Sequence, residues 1–110
     1  MFFVSSNSTP LMVATLNGHI EVVKLLLTYP NIKVNLKDHQ GRTALMQSAI
    51  LGNSGIFKLL LERDDIDVNL EDLDGKTAYD YATNSMLKKD HQLIKSLHRK
   101  ICRSRKRNRN

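Results

Sequence analysis

The chain repeats itself. Sliding it by 34 residues places Thr9, Leu11, Met12, Gly18, Lys24, Leu25, Leu26 and Leu27 over Thr43, Leu45, Met46, Gly52, Lys58, Leu59, Leu60 and Leu61. The next stretch continues the match, with Ile32, Val34, Asn35, Leu36 and Asp38 over Ile66, Val68, Asn69, Leu70 and Asp72. That is 13 identities in the window 7–40. A third copy starts at Gly75 and Thr77-Ala78 and reaches Leu93-Ile94. A period of this length marks a solenoid, in which each unit is one supersecondary element that buries its apolar face only against its neighbours. The organisation expected is a lead-in at 1–6, full units at 7–40 and 41–74, a partial terminal unit at 75–98 and an arm at 99–110.

Each unit reads as two short helices and a hairpin loop, which makes the fold an all-α solenoid of helix-turn-helix units with β-hairpin loops. Thr9 is a good N-cap, since its hydroxyl accepts from a free backbone N–H of the first turn. Pro10 suits the first helical position, where its missing donor is no loss. Leu11, Ala14 and Thr15 share the i, i+3, i+4 face that turns toward a neighbour. Gly18 stands where that helix stops, at a position easiest for a left-handed residue. The spacing predicts a second helix from about Ile20 that presents Val22, Val23, Leu26 and Leu27 on its apolar side and is ended by Pro30. Residues 31–42 are an extended polar loop with Asn35, Asp38 and Gly41 as turn-formers.

These residues resemble the ankyrin repeat. The family pattern G-x-T-P-L-H-x-A-A-x-x-G-H-x-x-V-V-x-L-L-L, with a loop ending D-V-N-x-x-D, is matched by Thr9-Pro10-Leu11, Ala14, Gly18-His19, Val22-Val23, Leu25-Leu26-Leu27 and Val34-Asn35. The second copy supplies Gly41, Thr43, Leu45, Ala49, Gly52, Leu59-Leu60-Leu61, Asp67-Val68-Asn69 and Asp72. The third keeps Gly75, Thr77-Ala78 and Ala82. The resemblance covers about residues 7–97. Met12 and Met46 replace the family's His, so soft apolar packing takes the place of its hydrogen bonds. Met86 stands for the helix-ending Gly in copy three, whose second helix carries a polar side (Lys88, Lys89, His91, Gln92), as a terminal unit facing water requires. At the other end, Phe2 and Phe3 are candidates to cover the first unit, with a longer array as the alternative.

Composition narrows the function classes. The 110 residues are 41% hydrophobic, too apolar for a disordered chain before residue 98. One cysteine, Cys102, excludes a disulfide framework and suits a reducing compartment. No apolar run approaches the roughly 20 residues that span a bilayer, and the start lacks a secretory signal's basic region and long apolar core. A cytoplasmic protein is expected. Residues 88–110 hold 10 of the 17 Lys and Arg against Asp90 alone, whereas residues 1–87 carry 7 basic and 10 acidic side chains. The net charge of +6 thus belongs to the C-terminal arm, and the body is mildly acidic.

Catalytic motifs are missing. There is no G-x-G-x-x-G, P-loop or G-x-S-x-G, and no pair of histidines has H-E-x-x-H spacing. His91, His98 and Cys102 share a helix face that could in principle take a metal, but a solvated face is the simpler reading. Asp64, Asp65 and Asp67 lack the later Gly and Glu of a Ca²⁺ loop. Neither an enzyme, a metal nor a cofactor is expected.

The resemblance implies a non-catalytic scaffold that binds a protein through the concave face of the stack. Its contact positions fall, in this sequence, on His39, Gln40 and Arg42 in the first loop and on Leu73, Asp74 and Lys76 in the second. Leu51 and Ile50, with Leu16 and Asn17 one unit earlier, fall on the helix edge, where packing between repeats is the competing reading for Ile50 and Leu16. The arm, with Arg103, Arg105, Lys106, Arg107 and Arg109, reads first as a disordered solubilising tail. Its alternatives are a nuclear-import address, or a weak, non-specific electrostatic anchor for nucleic acid or an anionic membrane, since no aromatic interleaves the run. No oligomer is expected.

Overall fold

The computed structural model describes residues 8–107, with side chains described to Ser104. Six α-helices are present there: α1 (Pro10–Leu16), α2 (Ile20–Leu27), α3 (Ala44–Leu51), α4 (Ser54–Leu61), α5 (Ala78–Thr83) and α6 (His91–Arg107), with a 3₁₀ turn at Met86–Lys89 before α6. Helices α1, α3 and α5 stack side by side as an inner layer; α2, α4 and α6 stack behind them, each against its own inner partner.

The helix starts are made by the threonines. Thr9 Oγ1 accepts from Met12 N (3.2 Å) and Thr43 Oγ1 from Met46 N (3.3 Å). Thr77 accepts from Asp80 N while Asp80 Oδ2 accepts from Thr77 N (2.9 Å). This reciprocal pair satisfies two otherwise free donors. Gly18 and Gly52 take left-handed φ values of 71° and 69° and turn the chain from inner to outer helix. Leu11, Met12, Leu45, Met46 and Phe57 are buried with Leu60, Leu87 and Leu97 in one continuous core. The hydroxyls of Thr15 and Ser48, buried among them, return to their own helix at Leu11 O (2.8 Å) and Leu45 O (2.7 Å).

Four expectations are corrected. No strand occurs among the described residues. Each loop is instead a tight turn closed by a pair of backbone bonds, Asp38 N to Arg42 O (2.9 Å) with Gly41 N to Asp38 O (3.0 Å), and the same pair at Asp72, Lys76 and Gly75. That is too little pairing for a ladder. Val22 is 45% exposed although Ile56, its counterpart in the second unit, is fully buried. Ile56 lies in a helix flanked by α2 and α6, whereas α2 has an outer-layer neighbour on one side only among the described residues. The third outer helix starts at His91, and Lys88 and Lys89 lie in the 3₁₀ turn before it.

The fourth correction concerns the arm. Residues 99–107 are not a disordered tail but the second half of α6. Leu93 and Leu97 are buried against the stack and Ile101 partly so, and the same stripe continues with polar anchors. Lys100 Nζ donates to Arg63 O (2.6 Å) and Asn69 Nδ2 donates to Ser104 Oγ (2.6 Å). The lead-in, with Phe2 and Phe3, and Arg109 lie outside the described residues. Arg105, Lys106 and Arg107 belong to the helix by their backbone alone.

Candidate protein-binding surface

Each loop is organised around a buried aspartate. Asp38 Oδ1 accepts from the backbone N–H groups of Gln40 (2.9 Å) and Arg42 (3.0 Å), and its Oδ2 accepts from Gln47 Nε2 (3.1 Å). Asp72 repeats the arrangement with Asp74 N (2.9 Å), Lys76 N (3.0 Å) and the Tyr81 hydroxyl. Burial alone would raise the Asp72 carboxyl. The hydrogen bonds from Tyr81, Lys76 and Asp74, with the charge of Arg42, outweigh it and hold the group below the usual carboxylate range. The bond to Asp72 pushes the Tyr81 phenol up in turn.

Consecutive loops are tied together. Leu73 N donates to Gln40 O (3.1 Å). Arg42 Nε lies 3.9 Å from Asp72 Oδ2, its Nη1 donates to Gln40 Oε1 (3.1 Å), and its guanidinium sits 5.8 Å from the Tyr81 ring centroid. Lys76 Nζ approaches the same ring at 5.8 Å. Farther back, Asn35 joins the first loop to the second unit, donating to Asp65 O (2.8 Å) and accepting from Asp67 N (2.8 Å). Arg63 Nη1 donates to Leu27 O (2.9 Å), satisfying a carbonyl at the end of α2.

The expected contact residues are therefore divided. His39, Leu73 and Asp74 stand exposed at the loop tips, Leu73 at 78%. Gln40, Arg42 and Lys76 are engaged in joining one loop to the next or in stacking on Tyr81. Leu16, Ile50 and Leu51 are half-exposed, at 50%, 40% and 49%. They sit at the C-terminal ends of α1 and α3, however, and an eight-residue helix separates loop from helix end by about 12 Å. The tips and the helix ends are two patches. Arg103 is exposed on α6, on the outer layer.

Sequence reasoning missed Gln47 and Tyr81 as braces. Their signal was present: both stand 34 residues apart and nine residues after an aspartate of the repeat. Lys100 and Ser104 carried no such signal, because the repeat has no counterpart for them. Among the described residues no group of His, Cys, Asp or Glu is placed to hold a metal, and no helix is long and apolar enough to cross a membrane.

A family model described as ankyrin repeats, in three copies, matches residues 11–103. No curated protein gives a significant match to the chain.

Proposed function

Because the chain belongs to the ankyrin-repeat family, whose repeats are generally protein–protein interaction modules, we propose that it is a non-catalytic scaffold that binds a protein partner through its loop tips. One observation carries this reading. Leu73 exposes most of its side chain to water, yet its backbone is bonded to Gln40 O and flanked by the Asp72 brace. An apolar side chain held out on a preformed loop loses little conformational freedom on binding, which is what makes an anchor effective. His39 and Asp74 supply polar contacts beside it. The proposed compartment is the cytoplasm.

The test is affinity capture with the full chain, with and without nuclease, against Leu73→Asp. A discrete, nuclease-resistant partner lost in Leu73→Asp supports the loop-tip reading. Capture that is abolished by nuclease or by salt, and unchanged in Leu73→Asp, overturns it in favour of a nucleic-acid-associated adaptor anchored by its basic residues.

A further inference from the structure

The ordered second half of α6 turns a basic stretch into fixed surface. On the outer layer, α4 and α6 lie side by side and enclose a cleft of about 350 Å³. At its floor Leu61 and Leu93, core residues only 4% and 5% exposed, show an edge, and Ser96, a small side chain, leaves it open. Lys58 stands on one wall, and Arg99 and Arg103 stand one turn apart on the other.

Those three cations are not neutralised from within. The ion pairs among the described residues are Lys24–Glu21, Arg42–Asp72 and Arg63–Asp65, and none reaches the cleft walls. Two acids do face it. Asp90 already accepts from Leu93 N (3.1 Å) at the start of α6, and Glu62 sits at the end of α4. Lys100 also lines the cleft, but its ammonium is bonded to Arg63 O. The site therefore offers an apolar floor between unpaired Lys and Arg side chains, in the size range of ligand clefts.

We propose that this cleft is a second docking site, apart from the loop tips, for an acidic peptide segment that inserts one apolar side chain. The apolar group packs on the edges of Leu61 and Leu93, and flanking carboxylates meet Arg99, Arg103 and Lys58. Guanidinium groups match carboxylates with paired hydrogen bonds. No aromatic side chain lines the cleft, so nucleic-acid bases find nothing to stack on. The inference uses helices that the loop-tip reading does not.

The test is fluorescence anisotropy of the full chain with a labelled peptide of glutamates around a central leucine. Three probes are compared with it: the same peptide with serine at the centre, a lysine version, and an oligouridine. The glutamate–leucine peptide is expected to bind best. Arg99→Glu with Arg103→Glu is expected to weaken it about tenfold or more, as loss of charge-assisted hydrogen bonds implies. Lys24→Glu, the equivalent of Lys58 one unit earlier and outside the cleft, is expected to leave binding unchanged. Arg103→Gln, a milder change at an exposed position, is expected to weaken binding about threefold and serves should the double variant lose its helical circular dichroism. The proposal is overturned if the peptide fails to bind, if Lys24→Glu weakens it as much as the Arg variants do, if the serine version binds equally, or if oligouridine binds more tightly.

Discussion

The Asp72 carboxylate accepts the hydroxyl of Tyr81, nine residues along the chain, where Asp38 accepts the amide of Gln47 one unit earlier. Two different side chains thus close the same loop in the same register. In both, a carboxylate that would be expensive to bury alone is surrounded by donors. The loop gains its shape from that surrounding: the aspartate fixes the backbone two and four residues on, and the helix fixes the aspartate. The exposed tip side chains are consequently presented by an internal polar framework rather than by a hydrophobic one.

Asp72→Ala strands two backbone N–H groups and the Tyr81 hydroxyl, and is expected to cost about 3 kcal/mol, against about 1 kcal/mol for Tyr81→Phe, which removes a single bond. The pH dependence follows from the same carboxyl. Asp72 titrates lower in the folded chain than in the unfolded one, so the folded state binds fewer protons. Its contribution is complete above the unfolded value of about 3.9 and is lost as pH falls through the lower folded value. Thermal melts between pH 7 and pH 3 should show wild type losing stability at the acid end and Asp72→Asn losing less.

Gly41 and Gly75 share a φ of 76° but not an environment. A Cβ on Gly41 would stand 2.9 Å from Leu73 N and 3.1 Å from Asp72 Cα, both backbone, while one on Gly75 meets nothing closer than Glu71 Oε1 at 3.9 Å. Gly75→Ala is expected to cost about 1 kcal/mol of conformational strain. Gly41→Ala must also force the two loops apart at the Leu73 N to Gln40 O bond, and about 3 kcal/mol is expected. Urea denaturation of the two variants gives the comparison directly.

The architecture was legible because the repeat is a local code: Thr9, Thr43 and Thr77 cap helices, Gly18 and Gly52 end or turn them, and these roles need only near neighbours. What escaped depends on stacking. Val22 and Ile56 occupy equivalent positions, and nothing in their own segments says that one is exposed and the other buried. Arg42 reads as a surface cation until Asp72 and Tyr81 are brought to it from the next unit. Arg99 onward reads as a solvated charge run, because the carbonyl of Arg63 and the amide of Asn69 that hold it are about 35 residues away. Loop tips could be identified from the register, but their separation from Leu16, Ile50 and Leu51 follows from helix direction, which the pattern leaves implicit.

The contrast between Val22 and Ile56 yields a paired prediction. Ile56→Ala empties a fully buried site and is expected to cost about 3 kcal/mol in lost transfer energy and cavity. Val22→Ala changes a half-exposed side chain and is expected to stay below about 1 kcal/mol. Equal losses in thermal melts would mean that Val22 is covered in solution.

Deleting residues 99–110 tests the docked half of α6. The deletion removes the Lys100 bond to Arg63 O, the Asn69 bond to Ser104 and the partly buried Ile101. Two hydrogen bonds at about 1 kcal/mol each and a fraction of one buried aliphatic side chain give an expected loss of about 2–3 kcal/mol. In a domain of this size that lowers Tm by roughly 10 °C, with a loss of helical circular dichroism beyond the deleted residues' own share. Lys100→Ala alone should account for about 1 kcal/mol and increase amide exchange at the end of α4. A deletion that leaves Tm unchanged would show that the segment is undocked, and the walls of the α4–α6 cleft would then be unfixed as well.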